Sequence, residues 1–298
     1  MLDYKSFIGR STGFRKIKYN WRDVALYALA VGAHEEDLMY TYERNMKCIP
    51  SFGVIPYWNA VNNEPQRPIP YAASLMLREA FARERNVGLD DVGGLHMGHE
   101  LIMHRPIDPI KGSLVFEDKI DAIYDRGDKG IVVQTSVPVY DEAGNLICEN
   151  ISNTAWFEGG NFGGQPMPKS TVIIPDREPD YIAEDYISKT QNILYRLTGD
   201  TNHIHINPKV AKDAGFPRTF MQGLCSYGFA CRMAIGEVIP EEPERMTRMS
   251  AQMRNVCYPD SNIILKTVNV IGEGKLVFQL VDAVTRKPIL DKGEFDYK

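Results

Sequence analysis

Apolar and polar residues alternate, with a period of two, along five stretches. They are "GIVVQTSVPVYD" (Gly130–Asp141), "NLICENISNTAWF" (Asn145–Phe157), "IILKTVNVIG" (Ile263–Gly272), "KLVFQLVDAV" (Lys275–Val284) and "PILDKGEFDY" (Pro288–Tyr297). That period predicts strands with one face buried. "IDAIYDR" (Ile120–Arg126) reads as a shorter one. Turn residues at Ala143-Gly144 and Arg286-Lys287-Pro288 separate the last strands of each group, as hairpins require. Helical spacing runs instead through "WRDVALYALAVGAH" (Trp21–His34), "PSFGVIPYWNAV" (Pro50–Val61), "YAASLMLREAFARER" (Tyr71–Arg85) and "DYISKTQNILYRLTGD" (Asp185–Asp200). A last helix, Gly223–Ile239, is apolar almost all round, broken only by Ser226, Arg232 and Glu237, so it is expected to be enclosed.

The order helix, helix, strands therefore occurs twice. Between the two runs, four glycines and four prolines without periodic apolar spacing mark a linker. We expect an N-terminal unit over residues 1–158, a linker over 159–180 and a C-terminal unit over 181–298. Each is α+β, one buried helix wrapped by an antiparallel sheet. The linker's "GGNFGG" fits neither the dinucleotide nor the P-loop glycine spacing and is rejected as a nucleotide loop.

Composition narrows the class. With 298 residues, 44% hydrophobic and 24% charged, the chain is that of a soluble globular protein. A net charge of −5 gives no general basic face for nucleic acid or an anionic membrane. Five cysteines without CxxC spacing suggest reduced thiols. "MLDYKSFIGR" has no signal-peptide pattern, and the closing "DYK" is not a Ser-Lys-Leu address. No stretch approaches the roughly 20 apolar residues a membrane helix needs. The expectation is a cytoplasmic protein.

Chemistry concentrates in "YRLTGDTNHIHINP" (Tyr195–Pro208), where Asp200, Asn202, His203 and His205 follow a helix-breaking Thr-Gly. A carboxylate and an imidazole sharing a water can take one proton from it and deliver another, the minimum for adding water to a double bond. Asn202 between them is placed to hold a substrate or orient the water. Eighteen residues beyond His205, Gly223 opens the enclosed helix. The first turn of a helix has free N–H groups and favours negative charge, and glycine lets an oxyanion approach closely. The His-x-His pair lacks the third ligand cluster that a zinc site needs. His96, His99 and His104 sit in one strand-like segment and read as structural; Cys225 reads as a buried thiol.

Over Tyr195–Arg232 the pattern Tyr-Arg-Leu-x-Gly-Asp-x-Asn-x-x-His-x-x-Pro, then Ala-Gly-Phe, Gly-Leu-Cys and Gly-Phe, resembles the MaoC-like (R)-specific enoyl-CoA hydratases, the hydratase 2 group. The first half resembles that family's non-catalytic half at "YALAVGA" (Tyr27–Ala33), "PSFGVI" (Pro50–Ile55) and "GHE" (Gly98–Glu100). The resemblance implies a double hot-dog fold and reversible syn hydration of a trans-2-enoyl-CoA, with no metal or redox cofactor. Asp200 and His205 become the catalytic pair, Asn202 their support and Gly223 the donor to the thioester oxygen. Family members usually carry His before that glycine; here Gln222 stands there. Gln222 and Leu224 are candidate substrate contacts, and Lys209 and Arg218, with Lys212 and Arg254, are candidates for the CoA phosphates. Overlaying Tyr27 on Tyr195 sets Gly32 opposite Asp200 and Asp37 opposite His205, so only one half catalyses. The other half is expected to hold the acyl chain, with Tyr71–Arg85 as an amphipathic cover or a solvated packing helix. The rivals are a dehydratase for a specialised acyl-CoA (branched, steroid side-chain or dicarboxylic) and a non-catalytic acyl-CoA-binding protein. A homodimer is also expected.

Overall fold

The computed structural model describes residues 2–11, 13–55, 72–88, 94–269 and 274–298. Strand β1 (Arg15–Asn20) runs into helix α1 (Trp21–Ala30), and the short α2 (Leu38–Thr41) follows. A 3-10 turn, Pro50–Val54, buries all five of its residues. Next come α3 (Ala72–Arg85) and strands β2 (Gly94–Met103), β3 (Lys111–Phe116), β4 (Lys119–Asp125), β5 (Ile131–Tyr140) and β6 (Leu146–Trp156). The second half comprises β7 (Tyr181–Ile187), α4 (Gln191–Arg196), α5 (Pro208–Asp213), α6 (Gly223–Val238), β8 (Met246–Met253), β9 (Ser261–Asn269), β10 (Lys275–Asp282) and β11 (Pro288–Tyr297).

Among the described residues the strands form one antiparallel sheet ordered β1-β3-β5-β6-β2-β8-β11-β10-β9-β7, with β4 beside β5. The two halves join at β2 and β8, paired from Gly98 with Gln252 to Ile102 with Arg248. The enclosed helix α6 packs on β7, β8, β9 and β11, as its all-round apolar sequence requires. This is the double hot-dog arrangement, and the two units share one sheet. Pro138 sits in mid-strand without disrupting it. β5 changes neighbour there, pairing with β4 through Ser136 and with β3 from Val139 onward.

The internal repeat has a physical centre. Tyr27 and Tyr195, the residues that superpose the two sequence halves, are both fully buried, with ring centroids 6.3 Å apart. Beside them, the C-terminal carbonyls of α1 are taken up by the second half. Gln191 Nε2 donates to Leu29 O (2.9 Å) and Ala30 O (2.8 Å), Cys225 Sγ to Ala30 O, and Arg232 Nε to Val31 O (3.0 Å). Ala30 O and Val31 O are carbonyls that the helix end leaves without partners of its own, whereas Leu29 O also accepts the Gly32 N–H (3.1 Å). Arg232 also pairs with Asp185 on β7, and both side chains are largely buried.

Several expectations are corrected. Asp185–Ser188 is not the start of a helix: Tyr181–Ile187 alternates as edge strand β7, and α4 begins only at Gln191. Strands β1, β2, β3 and β8 join those expected from alternation, because mixed burial blurs their period of two. The helix expected over Pro50–Val61 opens as a 3-10 turn through Val54, and its remainder from residue 56 lies outside the described residues. Residues 157–180 contain no helix or strand. There the "GGNFGG" backbone wraps a carboxylate of its own chain. Asp125 accepts N–H bonds from Gly127, Asn161, Gly163 and Gly164 at 2.8–3.3 Å. Partial burial works to raise the Asp125 pKa, but the four N–H groups outweigh it and hold the carboxyl below its ordinary value. No described helix is long and apolar enough to cross a membrane.

A Cβ added at Gly228 on α6 would lie 2.3 Å from Val31 Cγ1 and 2.8 Å from the Tyr27 hydroxyl. Gly228→Ala is therefore expected to cost about 1–3 kcal/mol by overpacking, read as a lower urea midpoint at unchanged m-value.

Candidate active site

The polar run after α4 is built from three successive side-chain caps. Asp200 Oδ1 accepts the Asn202 N–H (3.1 Å), Asn202 Oδ1 accepts the Ile204 N–H (3.2 Å), and Asn207 Oδ1 accepts the Lys209 N–H (2.9 Å) at the start of α5. Short Asp and Asn side chains bond the backbone two residues on, which makes them turn formers. So this density of polar residues has a local cause: it folds a tight 3-10 turn, His203–His205. Arg196 fastens the turn by donating to Thr201 O.

The turn sends Asp200 and His205 inward, with relative exposures of 4% and 8%, while His203 stays at the surface. His205 Nδ1 stands 3.1 Å from Phe220 O. A carbonyl only accepts, so Nδ1 carries the hydrogen and Nε2 keeps its lone pair. Burial raises the Asp200 pKa above the usual carboxylate value, against the attraction of His205 and the Asn202 N–H. Burial likewise lowers that of His205 below 6.5, against the pull of Asp200. Both shifts favour uncharged partners: a protonated carboxyl facing a neutral imidazole.

Asp200, Asn202 and His205 line one cavity of about 250 Å³ together with Gly223 and Leu224, the first two residues of α6. Cys225 N–H already turns back to Gln222 O (3.1 Å), whereas the Gly223 and Leu224 N–H groups ahead of it have no helical carbonyl to meet. An added Cβ at Gly223 would come within 2.8 Å of Met253 Sδ, so a side chain there would have to displace Met253. A carboxyl, an imidazole acceptor and free amides converge on one enclosed space. They can move protons to and from a bound molecule while stabilising negative charge on it.

The other candidates lie elsewhere. Gln222 is fully buried behind the wall, donating from Nε2 to Asn192 O (3.0 Å), and does not line the cavity. Arg218 donates to Pro259 O and stacks on Tyr258, and Lys209 pairs with Asp213 on an exposed face. Neither lines the cavity; Arg254 does, paired with Asp291. Sequence reasoning missed the wall that the N-terminal half supplies: Arg78 of α3, His96 of β2, and Thr154 and Trp156 of β6. The expected amphipathic helix thus reaches the site. It buries Leu77, Phe81 and Ala82 in a second core cluster with Trp156 and places Arg78 at the cavity. Burial, and then the neighbouring His99, depress the His96 pKa to about 3, so this wall presents a neutral imidazole. Its Nε2 lies 2.9 Å from Gly98 O and 3.0 Å from Ser152 Oγ.

Two family models together match most of the chain: the MFE-2 hydratase 2 N-terminal domain over residues 17–157 and the MaoC like domain over residues 170–292. The probable enoyl-CoA hydratase 2 of Dictyostelium discoideum is 29% identical over 269 residues, covering 88% of this chain and 85% of that protein. The mouse peroxisomal multifunctional enzyme type 2 is 30% identical over 247 residues, covering 80% of this chain but only 31% of that longer protein. A crystal structure of a MaoC-like dehydratase from Phytophthora capsici superposes with a TM-score of 0.82 at 27% identity, covering 100% of this chain and 99% of that one. With both halves matched in order and the Asp200, Asn202, His205 and Gly223 constellation assembled in one cavity, the chain belongs to the MaoC-like hydratase 2 family.

Proposed function

We propose that the chain is a 2-enoyl-CoA hydratase acting reversibly as a 3-hydroxyacyl-CoA dehydratase, with (R) stereochemistry at the new hydroxyl. The observation that carries this is a buried Asp200–His205 pair in the same cavity as the amide end of α6. The enoyl-CoA hydratase 2 names of two relatives support the thioester substrate.

The pair works while holding one proton between its two members, and burial favours the form in which Asp200 carries it. His205 Nε2 takes a proton from water as the hydroxide oxygen bonds to Cβ of the enoyl group. Electron density moves onto the thioester oxygen, where the Gly223 N–H receives it. Asp200 then delivers its proton to Cα, and the imidazolium proton returns to the Asp200 carboxylate through the site's water. One water has been added and the enzyme is restored. Asp200 and His205 come from one short turn, so both reach a bound double bond from the same face and the addition is syn. The cycle closes without a metal or redox cofactor. We further propose a cytoplasmic location, and a homodimer, since β7 is an edge strand with Ile182 and Tyr186 exposed.

Loss of enoyl-thioester absorbance with crotonyl-CoA and with a longer trans-2-enoyl-CoA tests the reading. Asp200→Asn keeps the side-chain volume but cannot cycle the proton, and kcat is expected to fall by about 10²–10⁴. Binding of a CoA ester without turnover by the wild type would instead support the non-catalytic reading. The amide's role separates cleanly at Gly223. Gln222 has φ −59° and ψ 138°, a conformation that tolerates a following proline, and the first helical position accepts one. Gly223→Pro and Gly223→Ala bring the same Cβ toward Met253, but only proline lacks the N–H. We expect the proline variant to be slower than the alanine variant by about 10²–10³ in kcat.

The pH profile of kcat/KM is expected to be bell-shaped. On the acid side the pair takes up a second proton as His205 charges, and the lowered His205 pKa sets that limb below pH 6.5. On the alkaline side the pair loses its proton, at a pH above the ordinary carboxylate value because the Asp200 pKa is raised. Dialysis against EDTA is expected to leave the rate unchanged.

A further inference from the structure

Gln222 and Asn192 have no part in the chemistry above, yet each is tied to it. The Gln222 Nε2 group donates to Asn192 O (3.0 Å). Asn192 Nδ2 donates to the carbonyl oxygen of His205 (2.5 Å). His205 Nδ1 in turn donates to Phe220 O (3.1 Å), two residues before Gln222. Three hydrogen bonds and the short segment Phe220–Gln222 thus close a ring. The ring joins the imidazole, helix α4 and the residue that caps the start of α6. Each acceptor is a backbone carbonyl, so the amide groups of Gln222 and Asn192 can face it only with their NH₂ ends.

Both side chains are enclosed, at 0% and 4% exposure. Among the described residues, Gln222 Oε1 and Asn192 Oδ1 have no hydrogen-bond partner. A buried acceptor without a partner is destabilising, and an apolar side chain of the same shape at either place would pack without that cost. The pair is a poor choice for holding the core together. It is a good one for fixing distances, because each bond sets one link between the proton-transferring imidazole and the Gly223 amide.

We propose that Gln222 and Asn192 are positioning residues. Their hydrogen-bonded ring sets the placement of His205 relative to the amide end of α6. The proposal rests on the hydratase reading and deepens it: proton transfer at His205 and charge stabilisation at Gly223 act on opposite ends of one conjugated thioester, so their separation governs the rate. Misplacement by about an ångström costs on the order of a hundred-fold in such a site. Substrate binding, made by other surfaces of the cavity, is untouched.

Gln222→Met keeps the length of the side chain and removes both its donor and its orphan acceptor. With crotonyl-CoA as probe, kcat is expected to fall by about ten- to a hundred-fold while KM stays within about two-fold and the melting temperature is unchanged or higher. Gln222→His restores an N–H able to reach Asn192 O and is expected to recover most of the rate. Asn192→Leu cuts the ring at its next link and is expected to repeat the pattern, so a folding failure in one variant leaves the other to decide. Unchanged kcat in folded Gln222→Met overturns the proposal and leaves the hydratase reading standing. So does a kcat loss that comes with a lowered melting temperature and no rescue by histidine, since that is a structural role. An inactive wild type overturns the hydratase reading and the ring's role with it.

Discussion

The C-terminal end of α1 is the constraint on which the rest of the molecule depends. A helix end leaves carbonyls without helical partners, and here the other half of the chain supplies the donors: Gln191, Cys225 and Arg232. Left buried and unmet, each such group would cost about 1–3 kcal/mol. Close packing reinforces the joint, with the Phe229 ring against Gly32 and the Val31 side chain against Gly228. Since Gln191 opens α4 and Cys225 and Arg232 belong to α6, this seam fixes both elements that frame the site.

That rigidity matters because the chemistry depends on preorganised groups around one cavity. Burial moves the Asp200 and His205 pKa values toward each other from their ordinary positions, so neither has to be charged at rest. The N-terminal half contributes enclosure through Trp156 and the neutral His96, and none of its described residues brings a carboxylate to the cavity. Where the catalytic half has Asp200, the repeat has Gly32, which ends α1 at a positive φ of 84° with the Phe229 ring against it. One half supplies the carboxyl and imidazole of the cavity, and its mate supplies walls and support.

The glycine-rich linker shows how one composition can serve a different end. Free N–H groups of adjacent glycines bind anions, and in this chain the anion is the Asp125 carboxylate. The contact pins the start of the linker to the end of β4.

The sequence by itself determined the two-fold repeat, the enclosed α6 and the grouping of Asp200, Asn202, His205 and Gly223 that the fold brings to one cavity. These are local signals: spacing within a turn, a helix's apolar periphery and a glycine at its first position are written in neighbouring residues. Edge strand β7 was misread as helix because two exposed strand residues, Ile182 and Tyr186, weaken its alternation. Arg78, His96, Thr154 and Trp156 meet Asp200 only across the fold, from positions 44 to 122 residues away, and no sequence period reports such a meeting. The same holds for Gln222, which looked like a substrate contact from its place beside Gly223. In the fold its side chain turns away from the cavity and donates to Asn192 O on α4. Residue identity and spacing name the chemistry; which side chains face one another is settled by long-range packing, and the tertiary structure alone records it.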